Sequence, residues 1–393
     1  MPFNLSAADK VLKEFYLPAV REQLNNATPL LATIGRNETD VQGRRAVIAV
    51  HTGRNQGIGA RAESGTLPEA GNQKYDNLIY TMKYNYGRIQ ITGPTIAATR
   101  SDAGSFVRAV KSEMDGLVTD LKFDYNRQLF GNGGGRLCTL AAASNSATVN
   151  VTDHTLWLQT GMIVDIYAAS GGSPTGSPKY TGLTVTAVGS SSVTFSSNVT
   201  TAAGDIVVRT GAANQEVEGL EAIISDSNTY AGINRSHASN SWWRANIFAN
   251  GGTNRSLSEN LMQQVWDACE RYGDARRFFL ITSPGVRRAY ANLMTSLRRY
   301  VNTIEVKGGF KGFEFNGVPL VVDYHCPPNR IYFLDLSHIS LFRMSDWDWL
   351  DMDGAILSRV RDRDAYEATM YKYSNLGVDR SNCHGLLADI TEA

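Results

Sequence analysis

The stretch Gly57-Ile58-Gly59-Ala60-Arg61-Ala62 matches G-x-G-x-x-A, the pattern that wraps a dinucleotide pyrophosphate. That chemistry needs a strand directly before the glycines and a helix directly after them, because the pyrophosphate rests on the helix N-terminus. Neither flanks this stretch, so it reads as a flexible loop. His325-Cys326 places a base beside a thiol, but a nucleophile pair needs side-chain geometry that adjacency does not supply. With Pro327-Pro328 following, a strand end entering a proline turn is expected. The other histidines (His51, His154, His237, His338 and His384) are dispersed, and no P-loop, G-x-S-x-G elbow or H-E-x-x-H occurs. Cys138, Cys269, Cys326 and Cys383 are scattered without a C-x-x-C, so inert thiols are expected, with no zinc site and no disulfide framework. Asp346-Trp347-Asp348-Trp349-Leu350-Asp351-Met352-Asp353-Gly354 has the acidic density of a calcium loop but neither its register nor its closing Glu. It reads as an exposed acidic-aromatic turn at a contact surface. No residue is assigned a catalytic, cofactor-binding or metal-binding role. No cofactor is expected, and the chain does not read as an enzyme.

Composition narrows the class further. Lys and Arg number 38 against 38 Asp and Glu over 393 residues, so the chain lacks the basic excess of a dedicated nucleic-acid binder. The length suggests two or three domains. No apolar run is long enough for a membrane span. Met1-Pro2-Phe3-Asn4-Leu5 lacks the order of a secretory signal, so a cytosol-like compartment is expected and sequons such as Asn198-Val199-Thr200 carry little meaning.

The elements that would position any site are unusual. Val11, Leu12, Phe15, Tyr16, Ala19 and Val20 recur at helical spacing after Ser6, a plausible cap, and Pro18 interrupts them, which describes an N-terminal arm. A strand at 45–50 leads through Gly-rich residues 51–72 to a second β-run at 78–92: an extended hairpin with a mobile tip, longer than compact domains usually allow. Residues 101–130 read as one helix, capped by Ser101 or Asp102, with Val107, Val110, Met114, Leu117, Val118, Leu121, Tyr125 and Leu129 on one stripe and Gly131 at its end. It would measure roughly 40–45 Å. After Gly133-Gly134-Gly135 the composition turns to Ser, Thr, Val and Gly up to Asn214, with short alternating runs that predict a small barrel or sandwich. From Val217 the pattern is mixed α/β. Ser256-Leu257-Ser258-Glu259 reads as a capping box, Ser283-Pro284 as a helix start, and Asn316-Gly317 as a hairpin turn. Arg359, Arg361 and Arg363 alternate within a β-rich tail, 357–373. Arms, long hairpins and long helices bury little against their own chain and gain most on neighbours, so self-assembly is the expected activity.

In order and texture these elements resemble the major capsid proteins of tailed bacteriophages. Particularly similar are Glu218-Gly219-Leu220-Glu221-Ala222-Ile223-Ile224, Asn316-Gly317-Val318-Pro319-Leu320-Val321-Val322-Asp323 and Tyr371-Lys372-Tyr373-Ser374-Asn375-Leu376-Gly377-Val378. The resemblance covers nearly the whole chain and implies an α+β chain with the Hong Kong 97-type capsid fold. It divides the chain into an N-terminal arm (1–42), an extended loop (43–95), a peripheral domain with a spine helix (96–135), an inserted β domain (136–214), an axial domain (215–336) and a return to the peripheral domain (337–393). The insertion departs from the minimal family pattern. By this resemblance the partners are further copies, in hexamers and pentamers of an icosahedral virion shell. The shell is assembled in the host cytoplasm and encloses double-stranded DNA without reading its sequence or touching a membrane. A separate scaffolding protein, a portal and decoration proteins are further partners that the family allows. Some members begin with a scaffolding segment that is cut away, whereas this chain reaches its arm directly from Met1. Some also cross-link a loop lysine to an asparagine of a neighbour; Lys74 and Lys83 with Asn375 and Asn382 are the residues available here. The alternative is a carbohydrate- or surface-binding β-rich module of a phage or bacterial particle, with Trp157, Trp242 or Trp243 as stacking platforms.

Overall fold

Strict alternation along Lys83–Thr92 makes that segment two-faced, and it pairs antiparallel with Ala365–Val378 over its whole length. A computed structural model describes residues 28–98, 103–274, 277–296, 303–306, 310–351 and 356–393. Residues 1–27 of the expected arm, and the expected caps Ser101 and Asp102, lie outside the described residues.

Ala365–Val378 is the axis of a five-stranded sheet. Its second edge pairs with Ile339–Trp349 and Ser358–Arg359, and Gly35–Asn37 runs parallel to Ile339–Trp349. Residues 28–37, assigned to the arm, are therefore docked, with Leu30 fully buried. The expected β-run 78–92 is two strands. Lys74–Thr81 belongs to the hairpin and Lys83–Thr92 to this sheet. The corner is buried Met82, whose N–H donates to the Arg44 carbonyl at 3.0 Å. The hairpin proper is thus Arg45–Thr81, shorter than the expected 43–95.

The long helix runs Ala103–Gln128. Leu117 and Leu121 close over Gly87, where an added Cβ would lie 2.5 Å from Leu121. Its C-terminal end is anchored in the core: Tyr125 is buried, as are Leu129 and Phe130 just beyond, and the Tyr125 hydroxyl meets Ser374 Oγ at 2.7 Å. From Ser112 to Asp124 no side chain is fully buried.

Residues 136–209 form a six-stranded sheet in the order Arg136–Thr139, Ile206–Arg209, Ile163–Ser170, Ser173–Val188, Ser192–Thr201, Ala143–Asn150. A bridge between Leu140 and Val151 joins the first strand's end to the last, closing a small barrel. Its interior residues, among them Val164, Val185 and Phe195, belong to the same apolar cluster as Tyr80, Phe279 and Leu334. The barrel is not packed as a separate bead.

A seven-stranded sheet takes the order Asn246–Phe248, Gly385–Leu387, Ile331–Asp335, Phe278–Thr282, Val318–Val322, Phe310–Phe315, Thr303–Val306. Helices Glu259–Glu270 and Pro284–Ser296 pack on it through Met262, Val265, Trp266, Val286 and Tyr290. Asn316 and Gly317 take the positive φ that a two-residue turn requires. Two expectations are corrected here. The cap of the first helix is Ser258, whose hydroxyl accepts from Leu261 N–H, so the box at Ser256 does not form. The C-terminal residues do not all return to the first sheet, because Gly385–Leu387 is an interior strand of this one, with Leu387 and Ile390 buried.

Candidate assembly surface

The hairpin is buried only at its root. Ala46, Leu78, Tyr80 and Met82 are inside, while Val47, Tyr75 and Ile79 are exposed along its length. Past Gly53 the connecting loop exposes Ile58 by 76% and Leu67 by 81%. A two-stranded ribbon of this kind is marginal in water, so its exposed apolar side chains gain by burial against another surface. The loop is nevertheless shaped by its own bonds. Asn55 Oδ1 accepts from Gly57 N–H at 2.7 Å, and His51 Nε2 lies 2.6 Å from Gln73 Oε1. Gly71 has no room for a Cβ, since Asn55 Oδ1 would sit 2.4 Å from it. Arg61 donates to the carbonyls of Thr66 and Ala60. No helix follows Gly57–Ala62, so the dinucleotide pattern lies in an open loop, and its arginine closes that loop.

A buried aromatic junction sets the hairpin's angle. Tyr80 donates to the Val378 carbonyl at 2.5 Å and packs on Phe342 at 5.2 Å and Tyr230 at 5.6 Å. Behind it the buried Arg235 guanidinium lies 4.9 Å from the Tyr230 ring and 5.4 Å from that of Trp243. Arg235 donates to the Ala222 carbonyl at 2.9 Å and to Ser381 Oγ at 2.8 Å. Burial pushes the Tyr80 phenol well up and draws Arg235 down to about 10. This junction ties the hairpin to residues from four distant parts of the chain. Nothing in the spacing of Tyr80, Tyr230, Arg235 and Trp243 announces it.

A second cluster escaped sequence reasoning. Tyr84 and Tyr86 face Tyr373 across paired strands, at 5.2 and 5.9 Å, and Tyr371 lies 4.9 Å from Tyr373. This is the sheet face opposite the long helix, and Tyr84 and Tyr86 are exposed. The two-residue spacing of tyrosines in both segments was the available signal; their pairing was not.

At the helix end Arg127 is buried between Asp124 and Glu216. Burial disfavours the charged guanidinium, yet the two carboxylates hold it charged. Burial alone would raise Asp124, but Arg127 and Arg209 overcome it and hold the carboxyl at about 2. Burial pushes Glu216 up in spite of Arg127.

The remaining candidate residues fall elsewhere. Asp346 is not in an exposed turn but in strand Ile339–Trp349, where Lys372 Nζ reaches it at 2.7 Å and Arg36 and Arg343 also pair with it. Its oxygens serve cations already present. His325 and Cys326 stand in a buried turn after Asp323. The Cys326 thiol faces the Pro327 carbonyl, and burial pushes it well above the ordinary thiol range. The four thiols are buried and unpaired. Trp157 and Trp243 are buried and donate to the carbonyls of His325 and Tyr230, so neither is a stacking platform; Trp242 is half-buried. Asn375 is buried, its amide bonded to the Thr81 carbonyl and Glu218, and is closed to a neighbour's lysine. Lys83 reaches the Asn214 carbonyl. Among the described residues no three His, Cys, Asp or Glu side chains gather to hold a metal ion, and no helix is long and apolar enough to cross a membrane.

No family model and no curated protein matches the chain. Solved structures do. The cyanophage A-1(L) capsid subunit aligns with a TM-score of 0.62 at 15% identity, over 95% of this chain and 96% of that one. The capsid of the native GTA particle gives 0.52 at 9% identity, over 95% and 94%. The SrpI encapsulin of Synechococcus elongatus gives 0.50 at 9%, over 99% and 96%. At these identities the likeness is one of fold, and it spans each chain nearly end to end.

Proposed function

We propose that this chain, which has the fold of capsid subunits, is the major capsid protein of a tailed bacteriophage, and that it builds an icosahedral shell of hexamers and pentamers around double-stranded DNA. The carrying observation is the hairpin, with exposed apolar residues on an element that cannot stand alone, on a chain that aligns with a capsid subunit's fold over 95% of its length. In this reading the five-stranded sheet and long helix are the peripheral domain, the seven-stranded sheet is the axial domain, the hairpin is the extended loop and the barrel is an insertion. The role is structural, without catalysis, and is exercised in the virion after assembly in the host cytoplasm. A scaffolding protein, portal and decoration proteins are further partners of the same reading. Burial of Trp157 and Trp243 disfavours the carbohydrate-binding alternative.

Each subunit in such a shell buries well above the ~1,600 Å² of a standard interface. Expressed protein is therefore expected to elute as large particles in size-exclusion chromatography and to show closed shells by electron microscopy. A strictly monomeric protein under all assembly conditions, including with the phage's other head proteins present, overturns the proposal.

A further inference from the structure

We propose that a cleft beside the hairpin's open edge is the receptor for the hairpin loop of a second copy, joined by an added strand and by carboxylate–guanidinium pairs. This rests on the shell-forming reading and names where one subunit grips the next. Strand Arg45–Gly53 pairs with Lys74–Thr81 along one edge. On the other edge Val41–Gln42 covers only residues 45 and 46. From Val47 onward that edge has no backbone partner among the described residues. Ile48, Ala49, Val50 and His51 border a cleft of about 630 Å³. Side chains alternate between the faces of a strand, so four consecutive residues on one cleft mean that its edge, not one face, looks into it. An open edge is a template for a further strand.

The opposite wall carries Trp242, Arg271, Arg380 and Asn382. The Arg271 guanidinium lies 5.5 Å over the Tyr272 ring, and Arg380 donates to the Tyr272 carbonyl at 2.7 Å. Neither forms an ion pair with a carboxylate among the described residues. Asp379, also on the cleft, is engaged by His338 at 2.8 Å. Asn382 Oδ1 is shielded from solvent without a donor. The cleft thus asks for an extended segment with free backbone groups, an apolar side chain and two carboxylates.

Residues 63–69 of the loop, Glu-Ser-Gly-Thr-Leu-Pro-Glu, carry those side chains, with Glu63 and Ser64 in a turn and residues 65–69 outside any helix, strand or turn. Leu67 is the most exposed large apolar side chain of the hairpin, and Glu63 and Glu69 are exposed with no ion pair among the described residues. The backbone of this segment makes one internal bond, Gly65 N–H to the Ala62 carbonyl, and Thr66 lends its carbonyl to Arg61. Pro68, lacking an N–H, must fall at a non-pairing position of the added strand. No residue of 54–73 lines the cleft of its own chain, so the occupant is a second copy's loop. The contact is head-to-tail, the kind that closes into a ring when the rotation fits.

The test is a charge swap read by particle yield. Arg271→Glu with Arg380→Glu, and separately Glu63→Arg with Glu69→Arg, are each expected to cut the assembled fraction about tenfold or more, while the unassembled chain keeps its circular dichroism and melting temperature. Combining all four substitutions in one chain is expected to restore particles. A fluorescent peptide of residues 58–72 is expected to bind the E63R/E69R chain, whose cleft is intact, and not the R271E/R380E chain. If wild-type protein forms shells while the cleft variant assembles equally well, or the swap fails to restore, or the peptide binds both chains alike or neither, this docking is overturned and the shell reading stands. If wild-type protein forms no particles under any assembly condition, including with the phage's other head proteins present, the shell reading fails and the docking with it.

Discussion

His384 shows what burial does to a single side chain. Its ring is fully buried, and Nδ1 accepts the Asp335 N–H at 3.1 Å. The proton of the neutral ring therefore sits on Nε2, which is shielded from solvent. Burial draws the imidazole down from 6.5 to about 4. The unfolded chain binds this proton first as pH falls, so the stability that the neutral ring carries above pH 6.5 is lost between 6.5 and 4. At about 1.4 kcal/mol per pKa unit the loss is on the order of 3 kcal/mol. His384→Asn keeps an acceptor for Asp335 without titrating. Thermal melts from pH 7.5 to 4.5 are expected to fall more shallowly for that variant than for wild type, and parallel slopes would refute this. Gly219 gives a second residue-level prediction. An added Cβ there would lie 2.3 Å from the Leu129 carbonyl oxygen and 2.5 Å from that of Gln128, both backbone atoms at the end of the long helix. Neither can swing aside, so Gly219→Ala should cost about 1–3 kcal/mol or more, measured by denaturant unfolding. His384 stood out from no other histidine, and Gly219 only as part of a family-like stretch; neither showed its constraint locally, because what constrains each is a distant backbone.

At the scale of elements, periodic features were legible and partnerships were not. The stripe through Leu117, Leu121, Tyr125 and Leu129 predicted the helix, and Asn316-Gly317 predicted its turn, because each is written in consecutive residues. The division of 78–92 at Met82 was invisible, since both halves alternate alike and differ only in which strand they pair with. The placement of Gly385–Leu387 in the seven-stranded sheet was hidden for the same reason, as three residues carry no period. Ion pairs between elements are hidden too, and Arg127 with Glu216 is the clearest, joining the helix end to the segment after the barrel. Glu216→Gln leaves the buried guanidinium with Asp124 alone. Losing one of its two carboxylates leaves the buried charge only partly compensated, so a loss of about 1–3 kcal/mol is expected in urea unfolding. Substituting exposed Arg359 is expected to change stability by less than about 0.5 kcal/mol in the same assay.

For the whole molecule, the division between what is buried and what is left bare follows the proposed function. Two apolar clusters hold the sheets, barrel and helix end together, and none of the exposed part of the hairpin contributes to them. The subunit should therefore fold without its loop, whereas on the proposed function a shell is expected to need it. Replacing residues 56–71 with a short Gly-Ser turn removes exposed Ile58 and Leu67 but leaves Ala46, Leu78 and Tyr80 seated in the core. The shortened chain is expected to melt cooperatively at close to the wild-type temperature and to run as a monomer or small oligomer by size-exclusion chromatography with light scattering. Wild-type protein under the same conditions should form particles. A shortened chain that unfolds would mean that the loop stabilises the subunit itself, and one that still forms shells would move the assembly contacts to other surfaces, such as the half-buried flank of the helix or the tyrosine face at Tyr84 and Tyr373. The first outcome contradicts the burial pattern and the second contradicts the inferred role of the hairpin, so a single deletion tests both.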